Sequence, residues 1–207
     1  MRARRPLALA ATGLALALTL AACGASSDHG PMTGPSSSAA SDQSGRTGDA
    51  AFAQLMIAHH QQAIEMADQA LSKSTNPDIT KLAAAIKQAQ GPEIDQMKGW
   101  LAAWGEPEQM QGATASDGSM DHSSMDMGGV SSAGMMTEQD MQTLSNATGK
   151  DFDRTWLQMM IAHHQGAVSM ANEVLMTTSD PQVKDLADSV VAAQMEEIST
   201  MQKLLAG

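Results

Sequence analysis

Between residues 49 and 104, apolar side chains recur every three or four positions in two runs separated by a short polar break. The first run predicts a helix from about Ala50 to Ser72. Asn76-Pro77 then supplies a capping side chain and a proline suited to a first helical turn. From there Ile79, Leu82, Ala83, Ile86, Ile94, Met97 and Leu101 mark one face of a second helix. The same succession returns later in the chain: a helix from about Asp151 to Thr177, the pair Asp180-Pro181, and a stripe of Val183, Leu186, Ala187, Val190, Ile198, Met201 and Leu205. Superposed without a gap at an offset of 104, residues 49–103 and 153–207 are identical at 22 of 55 positions. That is an internal duplication. Each copy reads as a helical hairpin that cannot bury its apolar stripe alone. The pattern therefore predicts an all-α fold, a four-helix bundle made of two duplicated helical hairpins with pseudo-twofold symmetry.

Two local features modify this plan. Gly91-Pro92 stands in the first copy where the second has Met195-Glu196, so the second helix should kink there or restart just before Glu93. A short extra helix is expected near Glu138–Ser145, with Thr137 as its cap. The stretches 24–48 and 105–137 are rich in Ser and Gly and lack apolar periodicity, which predicts tethers.

At about 100° per residue, a helix with Met56 central on its apolar face carries His59 and His60 on either side of that centre. Met66 and Ala67 fall on the same face, while Gln61, Glu65, Asp68 and Gln69 fall opposite. Both histidines therefore point into the bundle, and His163 and His164 repeat the placement beside Met160 and Met170. The partner helices share the oddity. Gln90 and Glu93 lie within the stripe of Ile86, Ile94 and Met97, as Gln194 and Glu197 do beside Ile198 and Met201. A buried carboxylate is costly unless paired or bound to a cation. Either each histidine donates to a nearby Glu or Gln and the network fixes hairpin pairing, or these groups bind a transition metal. The candidate metal residues are His59, His60, His163, His164, Glu93 and Glu197, with Met56, Met66, Met97, Met160, Met170 and Met201 beside them.

The N-terminus adds a cellular address. Arg2, Arg4 and Arg5 precede an apolar run from Leu7 to Ala22, too short to span a bilayer comfortably and read as an export signal. It ends in Leu20-Ala21-Ala22-Cys23, which resembles the lipobox of bacterial lipoproteins and implies cleavage before Cys23 and lipidation of its thiol. Cys23 is the only cysteine, so no disulfide or thiolate site is available. The expected organisation is a signal over 1–22, a lipidated tether over 23–48, hairpins over 49–104 and 138–207, and the linker between them. The hairpins form one domain, exported and anchored to the membrane of a bacterial cell. The formal charge of −11 falls to −14 without the signal arginines, which argues against a nucleic-acid partner.

Composition sharpens the metal reading. Methionine occurs 18 times, against 3 tryptophans, 2 phenylalanines and no tyrosine. Methionine is adaptable core filler, but that does not explain SMDHSSMDMGGVSSAGMM over 119–136, whose Ser and Gly argue against a packed core. Met120, Asp121, His122, Met125, Asp126 and Met127 there combine soft thioethers with imidazole and carboxylate, donors suited to Cu(I) and Cu(II). MDHSSM resembles the Met-Asp-His-Ser repeats of bacterial periplasmic copper-resistance proteins, and Asp28, His29 and Met32 form a fainter version. The alternative is methionines that absorb oxidants.

The motif His59-His60-Gln61-x-Ala63-x-x-Met66-Ala67, repeated as His163-His164-Gln165-x-Ala167-x-x-Met170-Ala171, resembles the family called domain of unknown function 305 (DUF305). The Gln, Glu and Met of the second helices match it as well, over roughly residues 49–207. The resemblance implies a ferritin-like bundle and a link to copper binding and copper tolerance, with no established catalytic activity. The expected function is an envelope lipoprotein that buffers, scavenges or hands on copper. A ferritin-like metalloenzyme such as a metal-dependent oxidase is the alternative, weakened because no Glu-x-x-His occurs. A metal-free envelope protein is the third reading. No nucleophile elbow, P-loop or dinucleotide fingerprint is present. The expected partners are a metal ion and, through Cys23, the membrane.

Overall fold

The computed structural model describes residues 38–109 and 134–207. The predicted export signal, Cys23 and the linker candidates Met120, Asp121, His122, Met125, Asp126 and Met127 lie outside them. Among the described residues there are five helices and no strand: α1 (Ser38–Lys73), α2 (Pro77–Trp104), α3 (Glu138–Asn146), α4 (Gly149–Leu175) and α5 (Pro181–Ala206). None of these is long and apolar enough to cross a membrane.

The helix starts follow the capping residues. Asn76 Oδ1 accepts from the Asp78 amide at 3.0 Å, and Asp180 Oδ1 accepts from the Gln182 amide at 2.8 Å, each just ahead of a proline in the first turn. Thr137 opens α3 with a full capping box, exchanging hydrogen bonds with Asp140. Gly105 closes α2 at φ 74°, a conformation that glycine adopts without strain.

Two expectations are corrected. α1 begins at Ser38, well inside the predicted tether and ahead of the expected start near Ala50. Once a helix exists, each further residue adds one hydrogen bond for one residue ordered, so a segment with no apolar stripe can extend it. Tertiary contacts of α1 are seen from Asp49 onward. Asp49 is buried, and its carboxyl takes a hydrogen bond from Thr178 in the α4–α5 turn. Burial raises the Asp49 pKa above its ordinary value; the Thr178 bond opposes the shift and Asp180 adds to it. Second, of the kink or restart expected at Gly91-Pro92, the restart does not occur: α2 continues through both residues. Proline removes the hydrogen bond to the carbonyl of Gln88, but Gln88 and Pro92 both lie on the solvent side, where water can serve that carbonyl.

α1 packs on α2 and α4 on α5 to make the hairpins, while α1 packs along α4 and joins them; α2 and α5 barely meet. The α1–α4 pair is antiparallel. Trp156 Nε1 donates to the carbonyl of Met66 at 2.9 Å, and His59 lies against His163, so one helix counts up as the other counts down. Trp156 is fully buried, and deleting an aromatic core residue costs roughly 3–5 kcal/mol. Two apolar clusters result. One joins Phe52, Met56, Met97 and Trp100 to Met170 and Val183; the other joins Met66 and Ile86 to Phe152, Trp156, Met160 and Met201. The offset of 104 exchanges Met56, Met97 and Met170 with Met160, Met201 and Met66, so the clusters are pseudo-symmetric mates. The double histidines occupy the level between them.

Candidate metal centre

An antiparallel helix pair built from a repeat brings a residue near its pseudo-axis against its own copy. His59 and His163 meet in this way, with ring centroids 3.7 Å apart and planes tilted by 38°. His164 stands farther from His163, at 6.4 Å between centroids. All four imidazoles are at most 1% exposed. The sequence placed these histidines inward; that the first histidine of each pair would stack on its counterpart was legible only with the antiparallel register known.

The second histidine of each pair has a carboxylate partner. His60 Nε2 donates to Glu93 Oε2 at 2.7 Å, and His164 Nε2 donates to Glu197 Oε2 at 2.8 Å. The histidine side chains are fully buried, whereas those of Glu93 and Glu197 remain 21% and 19% exposed, so each pair links the interior to the solvent boundary. With Nε2 engaged by the carboxylate, Nδ1 is the ring nitrogen left to face the interior. Nδ1 of His60 and of His164 is buried and has no hydrogen-bond partner.

His163 is fully buried at the pseudo-axis. Neither nitrogen meets a partner at standard hydrogen-bond geometry. Burial pushes its pKa well below 6.5, and the neighbouring His59, His164 and His60 push it further down; a weak polar contact with the His59 backbone opposes this without reversing it. The ring is therefore neutral at pH 7. Gln90 and Gln194, each 3% exposed, present Oε1 atoms that are also buried without a partner. A buried polar atom left unpaired costs roughly 1–3 kcal/mol, so this level of the bundle is expensive as it stands.

The candidate set thus divides. The four histidines and two glutamates form one connected layer. Met56, Met97 and Met170 lie in the apolar cluster on one side of it, and Met66, Met160 and Met201 in the cluster on the other. Among the described residues, no three His, Cys, Asp or Glu groups converge closely enough to hold one ion. Sequence reasoning also missed a clamp beside the layer. The Gln62 amide accepts from the Met136 N–H at 2.7 Å and donates to the Met136 carbonyl at 2.8 Å. Gly134, at φ 85°, rests so closely on α4 that a Cβ there would stand 2.6 Å from the Ala162 oxygen and 2.9 Å from Gly166 Cα. The replacement of Gln62 by Gly166 at the matching position was visible in the sequence, but not what it accommodates.

Among solved structures, a DUF305 protein from Streptomyces coelicolor is 33% identical, with TM-score 0.66 over 77% of this chain and 91% of that one. A DUF305 fragment from Deinococcus radiodurans is 31% identical, with TM-score 0.64 over 77% and 95%. CopM in its Cu(II)-bound form is 33% identical, with TM-score 0.62 over 76% and 95%. A curated relative, uncharacterized protein L153 of Acanthamoeba polyphaga mimivirus, is 36% identical over 53 residues, which is 26% of this chain and only 35% of that protein. The model of the domain of unknown function DUF305 matches residues 49–205, spanning both hairpins and the histidine layer, and the chain belongs to that family.

Proposed function

We propose that this chain is an exported, lipid-anchored protein that binds and buffers copper at the histidine layer joining its hairpins. One observation carries the reading: His163 is buried and neutral at the pseudo-axis, with neither ring nitrogen meeting a partner at standard hydrogen-bond geometry and only a polar contact with the His59 backbone. Coordination would satisfy such nitrogens and recover their desolvation cost. His60 and His164 fit the same role. Each donates one ring N–H to a carboxylate and keeps the other nitrogen free of protein partners, as metal-bound histidines do. Glu93 and Glu197 then act as orienting partners rather than ligands.

Imidazole suits Cu(II), and the flanking thioethers of Met56, Met66, Met97, Met160, Met170 and Met201 suit Cu(I). Because no compact set of His, Cys, Asp or Glu donors is preassembled among the described residues, loading requires the rings to turn within the layer. CopM, similar over most of its length, has structures with Cu(II), Cu(I) and silver, which supports this choice of metal. In the linker, Met120, Asp121, His122, Met125, Asp126 and Met127 offer a second binding segment. Cys23 provides the anchor. A di-iron oxidase is less well supported, since Glu93 and Glu197 are each engaged by a histidine instead of being gathered in a carboxylate-rich set.

Calorimetric titration of the mature chain with Cu(II), and with Cu(I) under reducing conditions, tests the reading. Uptake of both is expected, part of it surviving deletion of 119–136. Binding that disappears entirely with that segment would leave the histidine layer a structural network.

A further inference from the structure

We propose that soft metal ions reach the histidine layer from one side only, through the half-buried methionines Met136, Met141 and Met159 on the face covered by α3. The inference deepens the copper reading and rests on it. Met136, Met141 and Met159 all pack against the cluster that contains Met66, Met160 and Met201. The partly buried side chains on the mate cluster are Leu55, Ile64, Trp104, Leu175 and Val191, with no methionine among them. Among the described residues, half-buried thioethers therefore flank the core on one side of the layer alone.

The duplication turns this asymmetry into an internal control. Met159 and Leu55 are equivalent positions at the offset of 104, both half-buried and both packed against their own cluster. Leucine and methionine have nearly the same volume, so packing accepts either. What differs is the sulfur. On a helix, residues four apart lie on one face, which sets Met159 beside His163 and Leu55 beside His59. His163 lies with His59 at the centre of the layer, ring against ring. The outer end of the route is fixed as well. The Gln62 clamp and the seating of Gly134 on Gly166 hold Met136 against the bundle, and the Met141 amide bonds the Thr137 carbonyl in the first turn of α3. Cu(I) or Ag(I) would move by exchanging one thioether for the next and finally for imidazole, with no change of oxidation state. Cu(II), which prefers nitrogen and oxygen donors, gains nothing from such a path.

The test is the rate of Cu(I) uptake by the whole chain from a bicinchoninate complex, followed by stopped flow, with helicity checked by circular dichroism. In the triple variant Met136→Leu, Met141→Leu, Met159→Leu, we expect unchanged Cu(I) stoichiometry, roughly tenfold slower uptake, and an unaltered Cu(II) rate. Uptake at the parent rate overturns the proposal, as does equal slowing of Cu(II), which would mean generalised loosening. Loss of stoichiometry along with rate also overturns it, because the methionines would then be ligands of the final site. A parent chain that takes up no Cu(I) defeats the copper reading itself. Should the triple variant unfold, Met159→Leu alone, which copies the leucine at the equivalent position of the first hairpin, is judged by the same rate criterion.

Discussion

The two hairpins hold their His–Glu pairs at 2.7 and 2.8 Å although the residues just before the glutamates differ entirely, Gly91-Pro92 in one and Met195-Glu196 in the other. On the opposite side of the same layer the symmetry fails: Gln62 faces the returning chain where Gly166 lets it pass, and Met159 replaces Leu55. The contrast separates what the layer needs from what surrounds it. Local backbone chemistry varies freely where packing of Gln90, Ile94 and Met97 holds the helix in place.

The largest effect should come from breaking the two pairs separately. Glu93→Gln and Glu197→Gln each remove the carboxylate that orients a histidine, and each is expected to weaken copper binding by roughly 10–100-fold. If the hairpins are equivalent at the layer, the losses measured by competition titration are equal. A large loss in one and none in the other would show that only half of the symmetric site is used.

A smaller effect follows from His163. Its folded pKa lies well below the unfolded value of 6.5, so below that pH the unfolded chain binds a proton that the folded chain refuses. Its contribution to stability is therefore present above pH 6.5 and lost as pH falls, with a slope of up to about 1.4 kcal/mol per pH unit. Asp49, whose folded pKa is raised above 3.8, acts in the opposite sense: its contribution is present below the ordinary value and lost as pH rises through the raised one. Urea midpoints measured above the carboxylate range should fall on acidification, and the fall should shrink in His163→Gln. A pH-independent midpoint in the parent would contradict the burial argument.

The smallest effect concerns the backbone difference itself. A Cβ at Gly91 would meet nothing within 4 Å, so Gly91→Ala should stabilise the first hairpin by roughly 0.5–1 kcal/mol without changing copper affinity. A changed affinity in that variant would mean that flexibility at Gly91 serves the Glu93 pair.

Much of this was legible in the chain before any coordinates. Apolar spacing placed four long helices and the short one after Thr137, and the inward turn of His59, His60, His163 and His164 followed from helical periodicity. Three things were not legible. The residues ahead of Asp49 carry no apolar stripe, so periodicity had no means of extending α1 to Ser38. Pro92 read as a kink or a restart because its cost depends on whether the orphaned carbonyl of Gln88 is solvated, a tertiary fact. Which histidine of each pair Glu93 and Glu197 engage, and the clamp of Gln62 on Met136, depend on contacts between segments 33 and 74 residues apart. The motif identified the residues; the register between the hairpins arranged them.

The central claim is that copper is held by the histidines where the hairpins meet. Its most direct test is copper stoichiometry of the mature chain against the variant His59→Ala, His60→Ala, His163→Ala, His164→Ala, by calorimetry with a circular-dichroism check of helicity. A folded variant that has lost the equivalent surviving deletion of 119–136 is the expected result. A folded variant that binds as much copper as the parent would contradict it.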